Sequence, residues 1–515
     1  MADKYITNNK RIAKNTLLLY VRMLFIMVVS LFTSRVILKT LGVEDFGIYN
    51  VVGGIVAMIG MLNSAMTSST IRYLTYELGK GDKDNLAQVF SMCLQIFMLI
   101  SLCFVILSET IGLWFLNTQL VIPEDRMKAA NWVYQFSIFS VVNQLMTNPY
   151  NATIISHERM NVYAYVSIIE VLLKLAIVYL LVVINYDRLI SYGFLFLILS
   201  IVKTLLYRFY CIRSFEECKY KLNKNKTLFL QLISYSGWNL FGSIAGFVKG
   251  QGLNILINMF FNPSVNAARG IAYQINNAVN QFIHNFYTAV KPQITKYYAQ
   301  GDIIHMEKLV FSSSRFSFFL ILLLSLPIII EAPQLVLLWL GQLPEYVVPF
   351  VRLIIIISAV EGMASPLMTV AHATGKIRLY QSTVGTVTML IVPISYCVLK
   401  LGFSPISVFV VSLTVAIICL FLRLWIVKRL VNFPFWSYTN KVFVNALIVT
   451  IGASVLPVLL HCYLEESISN MLLSILLCLI CSIISIYWIG LKYEERLYIK
   501  KLIRSKFTTY HECIK

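Results

Sequence analysis

The sequence predicts an all-α integral membrane protein of about fourteen transmembrane helices: two six-helix lobes related by an internal repeat, plus two C-terminal helices. Three observations carry this. First, 58% of the 515 residues are hydrophobic and only 13% are charged, and the mean hydropathy is +0.75, too apolar for a polar surface to cover a soluble core. Second, apolar runs of ~20 residues, long enough to cross a ~30 Å hydrocarbon layer as helix, recur from end to end. Third, the junction Thr75-Tyr76-Glu77-Leu78-Gly79-Lys80-Gly81-Asp82, followed by Val89-Phe90-Ser91, returns as Thr295-Lys296-Tyr297-Tyr298-Ala299-Gln300-Gly301-Asp302 and Val310-Phe311-Ser312, at an offset of 220 or 221 residues. Gly47 with Gly270, Trp114 with Trp339, Pro149 with Pro366, Arg159 with Lys376 and Tyr163 with Tyr380 keep the same order. A duplicated bundle of this kind is a common architecture of secondary transporters.

The first span, 15–38, follows the basic amphipathic head MADKYITNNKRIAKN and lacks a small-residue cleavage site, so it reads as a retained helix. It carries Arg22, which either lines a cavity or snorkels to the interface. Spans 47–70, 86–110 and 129–151 follow. The fifth, 161–184, holds Glu170 and Lys174 one turn apart, a spacing at which they neutralise each other. The sixth, 189–211, holds Lys203.

The basic stretch within 218–228 is the expected linker between an N-terminal lobe, 1–217, and a C-terminal lobe, 229–436. In the seventh span, 229–260, Lys249 sits among Gly242, Gly246, Gly250 and Gly252. Those glycines allow either close helix packing or bending, and Lys249 either faces a cavity or pairs with an acid elsewhere. The eighth span, 265–290, places Gln274, Asn277, Gln281 and His284 along one face, with Asn276, Asn280 and Asn285 beside them. Such a stripe either lines a wet cavity or joins helices. His284 is read as a hydrogen-bonded structural histidine ahead of a proton-coupling one.

Spans 312–331, 346–371, 378–400 and 404–427 complete the second copy. Arg352 and Glu361 lie in the tenth, as cavity residues or inter-helix partners. Spans 441–462 and 469–491, within 437–515, have no partner in the repeat and are expected outside it, ahead of a basic tail.

Alternate connections are unequally charged. One side collects Lys10, Arg11, Arg72, Lys80, Arg159, Arg213, Lys224, Lys296, Lys376, Arg429 and many more, against Lys39, Arg126, Lys128, Arg188, Arg269 and Lys400 on the other. The positive-inside rule then places both termini in the cytoplasm, which requires an even number of spans. The net charge of +19 therefore reports membrane topology, and no nucleic-acid partner is expected. Two even-numbered copies enter the membrane in the same direction, related by an axis along its normal, with a central cavity as the expected site.

Charges inside spans are costly and face protein or water. Arg22, Arg35, Lys174, Lys203, Lys249, Arg315, Arg352 and Arg423 outnumber Glu170 and Glu361, with Glu109 near a span end. A net positive interior suits an anionic substrate. No phosphate-binding loop, metal-ligand spacing or catalytic triad stands out, and the loops near 117–128 and 331–346 are too short for a catalytic domain. No enzyme activity, cofactor or metal is expected. The ten cysteines, Cys93, Cys103, Cys397 and Cys419 among them, form no CxxC pair and read as packing residues.

The paired lobes, the Gly81-Asp82 and Gly301-Asp302 junctions, the basic positions Arg159 and Lys376, and the two extra helices resemble the Wzx-type polysaccharide flippases of the multidrug/oligosaccharidyl-lipid/polysaccharide exporter superfamily. The resemblance spans essentially the whole chain. It implies flipping of an undecaprenyl-diphosphate-linked oligosaccharide, for O-antigen, capsule or a similar unit, across a bacterial inner membrane by alternating access. It also implies coupling to H+ or Na+ and work beside a glycan polymerase and membrane lipids. On this reading Arg22 and Lys249 meet the diphosphate, while Gln274, Asn277, Gln281 and His284 meet the sugars. The alternatives within the fold are a peptidoglycan-precursor flippase and a cation-coupled multidrug antiporter. Related drug antiporters carry an acid in the first span, where this sequence has Arg22.

Overall fold

A computed structural model describes residues 2–57, 60–118, 122–184, 186–261, 263–463 and 467–497. Lys4, Lys10, Arg35 and Lys39, and the cations beyond Leu497, lie outside the described side chains. The helices in chain order are α1 (Ala2–Ala57), α2 (Gly60–Lys80), α3 (Lys83–Leu107), α4 (Leu113–Thr118), α5 (Glu124–Ser156), α6 (Met160–Val183), α7 (Arg188–Ser214), α8 (Lys226–Phe260) and α9 (Pro263–Ala299). They continue as α10 (Ile303–Ile330), α11 (Ala332–Leu340), α12 (Val347–Ala373), α13 (Ile377–Met389), α14 (Ile391–Lys400), α15 (Ile406–Val431), α16 (Phe435–Tyr438), α17 (Asn445–Tyr463) and α18 (Ile468–Ser485).

The chain is an all-α membrane protein. Among the described residues, eleven helical segments are long and apolar enough to cross a bilayer. Of the other three expected spans, 129–151 lies in α5 and 265–290 in α9, and the described parts of 47–70 lie in α1 and α2. Spans 129–151 and 265–290 mix polar residues such as Asn143, Asn148, Asn276 and Asn280 among their apolar ones. Large apolar side chains stand open along these helices, as at Leu17, Val28, Val183 and Leu472, a surface that lipid covers where water would not.

The repeat is legible in the backbone. Gly81 (φ 79°) and Gly301 (φ 72°) both take the left-handed conformation that ends a helix, a position a Cβ would strain. Asp82 then caps α3, accepting the backbone N–H of Asn85 at 3.0 Å. Pro149 lies inside α5 and Pro366 inside α12. Trp114 and Trp339 stand exposed on the short helices α4 and α11, as amphipathic rings do at a membrane interface. Gly42 (φ 82°) breaks α1 into the first two spans.

Two compact units emerge. The first comprises residues 1–244, 288–303 and 372–382; the second comprises 245–287, 304–371 and 383–515. Four helices, α8, α9, α12 and α13, thus give one end to the first unit and the rest to the second. The first unit packs α5 on α7 and α1 on α6, around Phe90, Phe97, Tyr134, Leu145 and Tyr150. At one end of this unit Arg126 binds Asp45, and Asp187 at 2.7 Å, joining the α1 kink, the start of α5 and the α6–α7 turn. In the second unit, Val265, Ala268, Phe350, Val351 and Phe409 form one core.

The two C-terminal spans pack onto α10 through Phe319, Leu322, Val449, Ala453 and Cys478. Arg315, 3% exposed, donates to the Gly490 carbonyl at 2.9 Å and to Glu495 at 2.6 Å. Glu331, 1% exposed, meets His461 at 3.0 Å. Arg315 thus ties the end of the last span to α10. Cys93 and Cys419 are buried, whereas Cys103 and Cys397 are exposed.

Candidate functional site

In the first unit, Arg22 lies on α1 with its guanidinium 4.3 Å from the Tyr163 ring centre and 3.4 Å from its hydroxyl. Its Nε is buried without a hydrogen-bond partner. Cation–π contact of this kind is worth ~1–2 kcal/mol once desolvated, far less than full solvation. Glu170 pairs with Lys174 at 2.8 Å, as its spacing predicts, and with Lys203 of α7 at 2.8 Å. The i,i+4 pattern shows one partner; only packing of α6 on α7 supplies the second.

In the second unit, Lys249 of α8 binds Glu361 of α12 at 2.8 Å. Two residues singled out separately in the sequence are therefore one pair, and Arg423 of α15 acts electrostatically on both members. Arg269 donates to the Gly250 carbonyl at 2.6 Å and lies 4.6 Å from the Tyr273 ring centre. Arg352 donates to the Ile329 carbonyl at 2.9 Å; it caps the end of α10.

Gln274, Asn277, Gln281 and His284 all stand exposed along α9. The neighbouring face is turned inward: Asn280 donates to Ser358 at 3.1 Å and Ser358 to Asn276 at 2.8 Å. The polar residues of α9 thus divide between an exposed stripe and inter-helix bonding by Asn276 and Asn280. The glycines of α8 divide similarly. A Cβ at Gly242 would collide with Gln381 and one at Gly252 with Val392, whereas Gly246 and Gly250 have nothing near. The passage of α8 between units, at Ile244–Ala245, falls among them.

Sequence reasoning missed a buried clasp inside the first unit. Arg72, 7% exposed, donates to the carbonyls of His372 at 3.2 Å and Ala373 at 2.8 Å, neutralising the C-terminus of α12. The Tyr235 hydroxyl lies 2.9 Å from His372 Nδ1, and Lys291 donates to Ser68 at 3.0 Å. Reciprocally, Glu158, in the turn after α5, receives Lys296 at 2.6 Å, Arg11 at 2.8 Å and Gln293, while its carbonyl accepts from Asn15 at 3.2 Å. Gly79 packs so tightly on α9 that a Cβ there would lie 2.6 Å from that of Ala299, its repeat partner.

So α2 grips the turn after α12, and α9 grips the matching turn after α5. Arg72, Lys291 and Lys296 appear in the sequence only as cations on the basic side. The available signal is Glu158 itself, which stands where the other copy has Gly375: both have φ > 0, at 60° and 76°. A glutamate tolerates that backbone at a cost of ~1–2 kcal/mol, and such strain persists where a side chain is needed.

Outside the spans, His157 meets Glu217 at 2.5 Å and stacks on Phe215. Burial raises the Glu217 carboxyl, but the His157 hydrogen bond, its own backbone N–H and nearby positive charge outweigh this and hold it below the ordinary carboxylate range.

The MatE family model matches residues 19–180. A multidrug resistance MATE family transporter of the MOP superfamily, solved in an outward-facing conformation, superposes with TM-score 0.69 at 13% identity, covering 83% of this chain and 96% of that one. The chain has the MATE fold. A MATE crystallised with MaD3S is similar at TM-score 0.69 and 12% identity, covering 82% of this chain and 97% of that one. A MOP superfamily transporter from Pyrococcus furiosus, described as having a binding pocket of reverse polarity, matches at TM-score 0.62 and 13% identity over 81% and 95%. A sequence comparison with curated proteins finds no match. At these identities the likeness concerns fold alone.

Proposed function

We propose that this MATE-fold chain is a flippase that moves an undecaprenyl-diphosphate-linked oligosaccharide across the bacterial inner membrane by alternating access, coupled to H+ or Na+. The observation that carries the reading is the excess of cations within the spans. In the first unit Lys174 and Lys203 share one acid, Glu170, and Arg22 lies against Tyr163; in the second Lys249 and Arg423 accompany one acid, Glu361. Each charge at a helix centre opposes insertion by ~2.5–3.5 kcal/mol, a cost that a diphosphate would offset.

On this reading Arg22 and Lys249 meet the diphosphate, and the exposed amides Gln274, Asn277 and Gln281, with His284, bond sugar hydroxyls. The polyprenyl chain stays in lipid. Both termini are cytoplasmic, the lobes are 1–217 and 229–436, and the Arg72 and Glu158 clasp is the cytoplasmic closure that parts when substrate enters. Delivery to a glycan polymerase follows transport.

A second reading, cation-coupled multidrug antiport, has the printed description of a fold neighbour in its favour, and a peptidoglycan-precursor flippase is a close variant of the first. The pocket described as of reverse polarity in the Pyrococcus protein is a precedent, within this fold, for a site unlike the multidrug one.

The test is surface-glycan display in a deletion strain complemented with wild type, Lys249→Ala, Lys249→Arg or Arg22→Ala, with protein levels matched. Glycan lost on deletion, absent with either alanine and restored by Lys249→Arg is the expected outcome. Normal display with both alanine variants would overturn the site assignment. Failure of purified protein in liposomes, under an ion gradient, to move any lipid-diphosphate sugar of its host would overturn the function.

A further inference from the structure

In the Lys249–Glu361 pair the carboxylate is the more exposed member, whereas in the Arg11–Glu158 and His461–Glu331 pairs it is the buried one. The Lys249 side chain is 17% exposed, whereas that of Glu361 is 45% exposed. Lys249 binds only Oε1, and the second carboxylate oxygen has no hydrogen-bond partner among the described residues. Other inter-helix carboxylates are more enclosed: Glu158 is 1% exposed with three donors on its side chain, Glu170, 20% exposed, has a lysine on each oxygen, and Glu331, which like Glu361 has one partnered oxygen, is 1% exposed. A buried ion pair repays its desolvation only when its remaining lone pairs are satisfied. Glu361 leaves one oxygen without a partner and is nearly half exposed, so its contact with Lys249 can be exchanged.

What surrounds the pair is cationic and fixed. Arg423 on α15 acts on both members. On α9, Tyr273 acts on Lys249, and Arg269 is held by the Gly250 carbonyl, Asn254 and the Tyr273 ring. When the carboxylate swings away, Lys249 and Arg423 remain as two positive charges, the number that a diphosphate needs.

We propose that Glu361 is a tethered counter-ion: it occupies Lys249 while the carrier is empty and is displaced by the anionic group of the substrate. This rests on the flippase reading above. The physical gain lies in the empty state, because a bare ammonium inside the membrane costs several kcal/mol and an internal carboxylate covers it whenever no substrate does. The same carboxylate sets a threshold: a ligand with less negative charge than Glu361 offers does not displace it. No bond is made or broken; one carboxylate–ammonium contact is exchanged for a phosphate–ammonium contact.

The test is binding of inorganic pyrophosphate and of a short-chain polyprenyl diphosphate to the purified full-length protein. Glu361→Gln removes the competitor and should tighten both at least tenfold, while slowing turnover in liposomes through slower release. Glu361→Asp, one methylene shorter, should fall between. Lys249→Gln should abolish binding whether or not Glu361 is also replaced, and the Lys249→Gln/Glu361→Gln protein, in which both members of the pair are neutral, serves as the folded control if Glu361→Gln is unstable. Unchanged or weaker diphosphate binding by folded Glu361→Gln and Glu361→Asp proteins that still flip lipid would overturn the counter-ion role and leave the flippase intact. Binding of tetraphenylphosphonium by wild type but not Glu361→Gln, with no diphosphate binding by either, would overturn both.

Discussion

Lys174 and Lys203 share one carboxylate, and this changes what a single substitution does. From spacing alone, Lys174→Ala strands Glu170 as an unpaired charge. With Lys203 at 2.8 Å on the other oxygen, a single alanine leaves the acid half-satisfied, and only the double variant strands it, at ~3–5 kcal/mol. Thermal stability in detergent should therefore fall modestly for each single variant and by more than their sum for the double; strict additivity would refute the shared-partner geometry.

Glu217 offers a pH readout. Its carboxyl is held below its ordinary value in the folded protein, so its interaction with His157 adds stability above the unfolded pKa of ~4.3 and is lost as pH falls through the lower folded value. Glu217→Gln should lower the melting temperature at pH 7, and its difference from wild type should shrink below about pH 4. A difference that persists unchanged in acid would assign the loss to packing.

At the scale of elements, the reciprocal clasp assigns two helices a task that their hydropathy hides. Glu158→Gln keeps the turn's shape but removes the charge that Lys296 and Arg11 bind. The expected result is greater labelling of a cysteine placed at Ser68 or Ser156 by a membrane-impermeant thiol reagent, with protein level unchanged; equal labelling would make the clasp a passive contact. Gly375→Ala acts on the other turn, where φ is 76° and a Cβ would meet Arg72 at 2.8 Å. That substitution should destabilise by ~1–2 kcal/mol from backbone strain before any loss of the Arg72 bonds.

At the scale of the whole molecule, the C-terminal spans are more than an appendage. Arg315 and Glu331 are buried against residues of that region, Glu495 and His461. Removing 437–515 leaves two interior charges uncompensated, so truncated protein should not accumulate in membranes, and Arg315→Leu with Glu331→Leu should partly restore it. Full accumulation of the simple truncation would show that lipid replaces those helices without cost.

Much of the architecture was legible because it is written in two quantities that need no partner: how long a segment stays apolar, and how often it repeats. Membrane residence, the succession of helices and the duplicated Gly-Asp junctions follow from these, since a bilayer requires every spanning backbone to bond internally, whereas the packing of the last two spans onto α10 does not. Pairing is different. Lys203 joins Glu170, Lys249 joins Glu361, and Arg72 reaches carbonyls 300 residues away. The chain's periodicities hold no trace of these contacts, because a charge on one helix carries no mark of the helix that neutralises it. Which cations stay available to a ligand and which cap or clasp was therefore decided only when helices distant in sequence were packed together.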